Sequence, residues 1–173
     1  TCLKSIEKDP LKLAVALMEN ELINMHGPEH HFLDGAAFMT ALKNNGLNFD
    51  LEASLNELEK RAVKMPGAMC AYWGLCGSVA SIGAVFSIID KTTPLTQTKD
   101  YGNHMEFTSS VIKKMSEIGG PRCCKRNAFL SILEGIKYAN NHYNLNMEVD
   151  NVYCEFSNLN LQCIKTKCPF HKF

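Results

Sequence analysis

The chain lacks a net charge, and it lacks any place where charge of one sign is gathered. Its 18 basic and 18 acidic residues cancel. No basic stripe stands out, so nucleic acid is not an expected partner. There is no P-loop and no dinucleotide-type glycine pattern, which argues against a nucleotide hydrolase. Strand signals are nearly absent, and only Met147 to Phe156, with Val149, Val152 and Phe156, reads as a short extended piece. The opening Thr-Cys-Leu-Lys-Ser-Ile-Glu-Lys-Asp holds no apolar run of the secretory kind, so a cytoplasmic location is expected. With no initiator Met at its start, the chain is expected to be a piece of a longer protein.

Charge is most completely absent from residues 66 to 89, a stretch that holds Cys70, Cys76, the single tryptophan and four glycines. Its length meets the simplest criterion for a membrane span. The Pro-Gly start, the polar cluster around Tyr72 and Cys76, and the serines at 78, 81 and 87 oppose that reading, as does sparse flanking positive charge. A helix apolar or small on every side is a buried one. The expectation is a central helix from about residue 76 to 89, and no membrane.

Around it the remaining segments read as helices. Asp9-Pro10 opens the first, with Leu11, Ala14, Val15, Met18, Leu22 and Ile23 at helical spacing. Pro28 begins a second, running to about Asn44 and stopping at Asn45-Gly46. Asp50 to Lys64 is amphipathic, with Leu51, Leu55, Leu58 and Val63 facing in. Asp100-Tyr101-Gly102-Asn103 predicts a break, then a helix from about His104 to Ile118 closed by Gly119-Gly120. Pro121 starts the last helix, through Phe129, Leu130, Leu133, Ile136 and Tyr138. The expected fold is all-α, one domain of about six helices, with the bundle in residues 1–151 and a cysteine-bearing tail in 152–173 packed on it.

Eight cysteines are many for such a chain. It is too long, too helical and too rich in Met for a small disulfide scaffold, so metal, cluster and reactive-thiol roles gain weight. Cys154, Cys163 and Cys168 lie in the tail with gaps of eight and four residues, and Pro169 follows the last. This fits a metal- or cluster-binding loop, although the spacing is not that of bacterial ferredoxins. His171 or a distant cysteine is a candidate fourth ligand for zinc; alternatively, three thiols hold a cubane with one iron open. Cys123 and Cys124 fall in the first turn of the last helix, where the dipole and Arg122, Lys125 and Arg126 favour thiolate. They are candidate nucleophiles, and the three cations are candidate binders of an anionic substrate. Cys123 or Cys124, with Cys76 and possibly Cys70, would either complete the metal centre or form a second, reactive site.

The run His26-Gly27-Pro28-Glu29-His30-His31 adds three imidazoles and a carboxylate. Glu29 and His30 are candidate proton carriers and His26 a substrate contact. The plainer reading is that these side chains cap or pack, with one of the adjacent histidines turned outward. The helix starts at Pro28, near Cys76 and at Pro121 are expected to converge on one pocket.

In His-Gly-Pro-Glu-His-His (26 to 31), Trp-Gly-Leu-Cys-Gly (73 to 77), Gly-Gly-Pro-Arg-Cys-Cys-Lys-Arg (119 to 126) and the tail Cys154, Asn160, Cys163, Cys168-Pro169, the chain resembles an uncharacterised cysteine-rich prokaryotic domain family. That family is found mainly in anaerobes, in some members beside a methyltransferase-type domain. The resemblance covers nearly the whole chain from about residue 10, and the 119–126 motif is its most specific part. It implies an anaerobic setting, reduced thiols, and a partner enzyme or upstream domain; it supplies no reaction. The function expected is an iron–sulfur or thiolate-metal protein doing redox or sulfur-transfer chemistry on a small anionic or sulfur-containing substrate. Two alternatives stand beside it: a non-catalytic interaction module with structural zinc, and a thiol-only enzyme using Cys123 or Cys124.

Overall fold

A computed structural model describes residues 1–172. The described residues form seven α-helices and no strand beyond an isolated bridge between Cys154 and His171. In chain order these are α1 (Pro10–Met18), α2 (His30–Asn44), α3 (Leu51–Ala62), the short α4 (Met69–Tyr72), α5 (Gly77–Ile89), α6 (Lys99–Ile118) and α7 (Cys124–Tyr143). The fold is the all-α bundle that the periodicity predicts. No helix among the described residues is long and apolar enough to cross a membrane.

The uncharged run becomes α5, and it is the centre. Val79, Ile82, Val85 and Phe86 are fully buried, and α2, α3, α6 and α7 all pack against it. Phe86 sits among Phe38, Phe107 and Tyr138, with ring centroids 5.6, 5.1 and 4.5 Å away. Burying one such side chain contributes roughly 1.5–3 kcal/mol. Serine is tolerated here because it is used: Ser81 Oγ accepts the Gly35 N–H of α2 at 3.1 Å. At Gly77 a Cβ would run into the His31 ring, so only glycine permits the close approach of α2 at this point.

Helix direction decides what meets at each end. Asn127, early in α7, donates to Cys76 at the start of α5, while His142, near the end of α7, reaches Asp90 at the end of α5. The two helices therefore run parallel. α6 runs against them, since His104 near its start also reaches Asp90 and Gly119 at its end accepts from Arg126.

The sequence expectations need correction at several boundaries. α6 begins at Lys99 and passes straight through Asp100-Tyr101-Gly102-Asn103; turn-forming residues lose to the helix once Phe107 and Val111 have a core to enter. Pro121 is not helical. Cys123 is the N-cap and α7 starts at Cys124, because Arg126 Nη2 pins the preceding loop through the Gly119 and Pro121 carbonyls, both at 2.9 Å. α1 stops at Met18, leaving Leu22 exposed, and Val63 lies past the end of α3, also exposed. Both His30 and His31 are buried, so neither turns outward.

The tail is irregular yet anchored. Phe170 meets Phe129 edge-on at 5.5 Å, and Met147 and Phe156 join the core. The Cys154 N–H donates to the Phe170 carbonyl at 2.7 Å, which lays the two ends of the tail side by side.

Candidate functional site

The starts of α2, α5 and α7 meet around a cavity of about 140 Å³. Its wall takes His26, His30 and His31 from the α2 approach, Cys70 and Cys76 from the α5 approach, and Arg122, Cys123 and Cys124 from the α7 approach. Three helix N-termini at one place give a positive field that favours anions. Cys123 is also part of the wall of a second, smaller chamber, which it shares with Cys154, Cys163 and Cys168. The fourth thiol beside the three tail cysteines is thus Cys123, 31 positions before the first of them.

All four sulfurs of this chamber are met by N–H donors. Cys123 Sγ accepts from the Arg126 N–H at 3.5 Å and from Asn160 Nδ2 at 3.6 Å. Cys163 Sγ accepts from the Lys165 N–H at 3.4 Å. Backbone hydrogen bonds from Phe156 and Phe170 serve Cys154 and Cys168. In three cases the donor lies two residues after the cysteine, so the backbone wraps each sulfur in the same local turn. Such donors favour sulfur that carries negative charge or binds a metal. Burial pushes the Cys154 and Cys168 thiols up, and the neighbouring sulfurs add to this. A cation between four such groups relieves both costs, so the residues present fit a thiolate-bound metal centre.

Two measures bear on its size. Four thiolates about 2.3 Å from one zinc ion stand about 3.8 Å apart. The chamber between the sulfurs, about 10 Å³, has room for little more than one ion.

A hydrogen-bonded chain joins the two compartments. The Cys124 N–H donates to His26 Nδ1 at 3.4 Å, which leaves His26 Nε2 to donate to Asn160 Oδ1 at 3.1 Å. Asn160 passes the contact on to Cys123. Burial, with Arg122, His30 and Lys125 nearby, lowers the His26 pKa although its bond to Asn160 opposes this.

The remaining candidates are distributed as follows. Cys124 and Cys76 face the cavity, but burial pushes both thiols up, Cys124 to about 12, against the expectation that helix starts would make them thiolates. Desolvation here exceeds the dipole and the hydrogen bonds from Gly27 to Cys124 and from Asn127 to Cys76. Glu29 is a loop staple: burial works against its charge, yet N–H groups of Glu29 itself and Asn24 outweigh it and hold the carboxyl below its ordinary value. Arg126 is committed to its own loop. Lys125 is buried, with its Nζ 3.1 Å from His30 Nε2, 3.2 Å from the Asn24 carbonyl and 4.9 Å from the Phe156 ring centre. Of the three cations only Arg122 stays exposed at the cavity mouth.

Asp34 escaped the sequence reading. It is fully buried one turn after His30, with Oδ1 3.5 Å from His30 Nδ1, and it lies on the far side of that imidazole from Lys125, whose pKa burial lowers against the pull of Asp34. A lone carboxylate inside Phe-Leu-Asp-Gly-Ala-Ala was the available signal, because buried charges are kept only where something pairs them.

These features define an all-helical, cysteine- and histidine-rich protein with a clustered four-thiol chamber beside a second cavity lined by imidazoles and thiols. Residues 1–171 match the model of a family of unknown function, DUF5714, and the chain belongs to that family. No curated protein and no solved structure matches it.

Proposed function

We propose that the protein holds an iron–sulfur cluster through Cys123, Cys154, Cys163 and Cys168, and that it performs redox or sulfur-transfer chemistry on a small anionic or sulfur-containing molecule in the adjoining cavity. The observation that carries this reading is the four-thiol chamber, with N–H donors at each sulfur. A bound cluster supplies one-electron transfer, or a Lewis-acidic iron when a position is open. The chain does the rest. Arg122 and the three helix starts attract the anion. Cys76 and Cys124 line the cavity as protonated thiols. His26 is a cavity imidazole bonded to Asn160 of the chamber wall, so it is positioned to take or give a proton beside it. The buried Lys125–His30–Asp34 row holds the wall in register.

The small chamber volume favours a second reading, structural zinc in a non-catalytic module. Anaerobic purification followed by iron, sulfide and visible-absorption analysis separates the two. Wild type is expected to carry iron and sulfide in near-equal amounts with a broad visible band. Cys163→Ala should lose both, whereas Cys70→Ala, which leaves the chamber whole, should keep them. Zinc without sulfide, in a chain that unfolds on chelation, replaces the first reading with the second. Absence of any metal from wild type defeats both.

A further inference from the structure

The opposite end of the bundle holds a second convergence of ligand atoms. Asp90 caps the C-terminus of α5, His104 lies in the second turn of α6, and His142 in the last turn of α7. Nε2 of His104 is 2.8 Å, and Nε2 of His142 3.0 Å, from the same oxygen, Asp90 Oδ2. The three atoms lie within 4.8 Å of one another. We infer that Asp90, His104 and His142 form a binding site for one divalent transition-metal ion, separate from the thiol chamber.

Four observations carry this. The donor set, two imidazoles and a carboxylate, is one that zinc, iron(II), cobalt(II) and manganese(II) accept, and it leaves coordination positions open. Ligand atoms about 2.1 Å from a metal at adjacent octahedral positions stand about 3.0 Å apart, which matches the two N–O separations. The ligands are already oriented: the Tyr143 hydroxyl donates to Asp90 Oδ1 at 3.0 Å, the His104 ring lies along Phe86, and the His142 ring stacks on Tyr138 at 5.0 Å. Outer contacts of this kind fix ligand rotamers in metal sites. Finally the site is open on one side, with 21% of the His142 side chain exposed, and Asp100 Oδ1 lies 3.9 Å from His142 Nε2 as a further oxygen. The C-terminal ends of α5 and α7 both point here, and their carbonyls favour a cation against the opposing N-terminus of α6. Read instead as a hydrogen-bond knot, the geometry needs both imidazoles to donate to one oxygen; a metal ion takes the place of both protons.

Cobalt(II) titrated into the full-length chain, purified with whatever its thiol chamber holds, tests the assignment. One equivalent is expected, giving weak visible bands without sulfur-to-metal charge transfer. His142→Ala should abolish it. Tyr143→Phe should weaken it about tenfold, with iron and sulfide content unchanged. Asp90→Asn, which keeps the size and an accepting oxygen, should weaken it further than Tyr143→Phe. Helicity measured alongside identifies a variant that fails to fold, and Asp90→Asn then decides. Cobalt binding that shows only thiolate charge transfer, fails to reach one equivalent, or is the same in Asp90→Asn overturns the site.

Discussion

The two ends of this bundle are built from the same helices and have opposite chemistry. At one end the N-termini of α2, α5 and α7 converge, and the side chains supplied there are thiols, with imidazoles beside them. At the other end α5 and α7 finish, and the side chains are two imidazoles around a carboxylate. The 13 residues of α5 separate Cys76 from Asp90, about 20 Å at 1.5 Å per residue. Parallel α5 and α7 thus sort their partial charges to opposite poles, positive toward the thiols and negative toward the imidazoles. Each pole then suits what its side chains offer: anions and metal-bound sulfur at one, a bare cation at the other. What differs is burial. The thiol pole is closed by a tail folded over it, while the imidazole pole remains partly open to solvent.

The sharpest way to break this comparison is to cross the poles. Cys163→Ala is expected to remove iron and sulfide completely and leave cobalt binding at Asp90 as it was; His142→Ala should do the reverse. Sites this far apart act independently, and parallel metal analysis of the two variants and their double mutant would expose any coupling. Next in size is Asp34→Ala, which leaves buried Lys125 without the pull of that carboxylate. It should cost about 3–5 kcal/mol in denaturant unfolding, and the accompanying Lys125→Met change should recover much of that. Gly77→Ala comes third. The added methyl meets His31, so α2 must shift, with a loss of about 1–3 kcal/mol and a disturbed cavity, read by the alkylation rate of Cys76. The smallest effect belongs to Glu134, midway along α7 and remote from both poles. Burial opposes its charge, but hydrogen bonds from Lys114 and Lys137 win and hold its pKa below the ordinary 4.5. A depressed carboxyl stabilises the fold above its unfolded value and loses that contribution as pH falls through the folded one. Glu134→Gln should therefore cost less than about 1 kcal/mol at neutral pH, and nothing once the medium is well below pH 4.

The poles were not equally legible in the sequence. The thiol pole announced itself because local rules created it: an uncharged helix, Pro28 and Pro121 near helix starts, and adjacent cysteines at the head of an amphipathic segment. Helix starts are written locally, so their meeting in one cavity could be anticipated. The partnership of Cys123 with the tail was left open, since a 31-residue separation has no spacing rule and depends on how Phe156 and Phe170 anchor the tail. The imidazole pole gave no signal. Asp90, His104 and His142 are each isolated in the chain, and only the parallel run of α5 and α7 brings them together. Gly102 misled for a related reason: its local preference for a break is worth about 1 kcal/mol, less than the packing of Phe107 and Val111 behind it.

Cys123 and Cys124 are consecutive, yet the first faces the thiol chamber as well as the cavity and the second faces the cavity only. A single peptide unit, about 3.8 Å between α-carbons, is therefore the ruler between the two compartments. However the tail breathes or the cavity mouth widens, that distance stays constant. The chain can lengthen its loops on every side of this dipeptide, but an insertion between the two residues would uncouple the chambers at once.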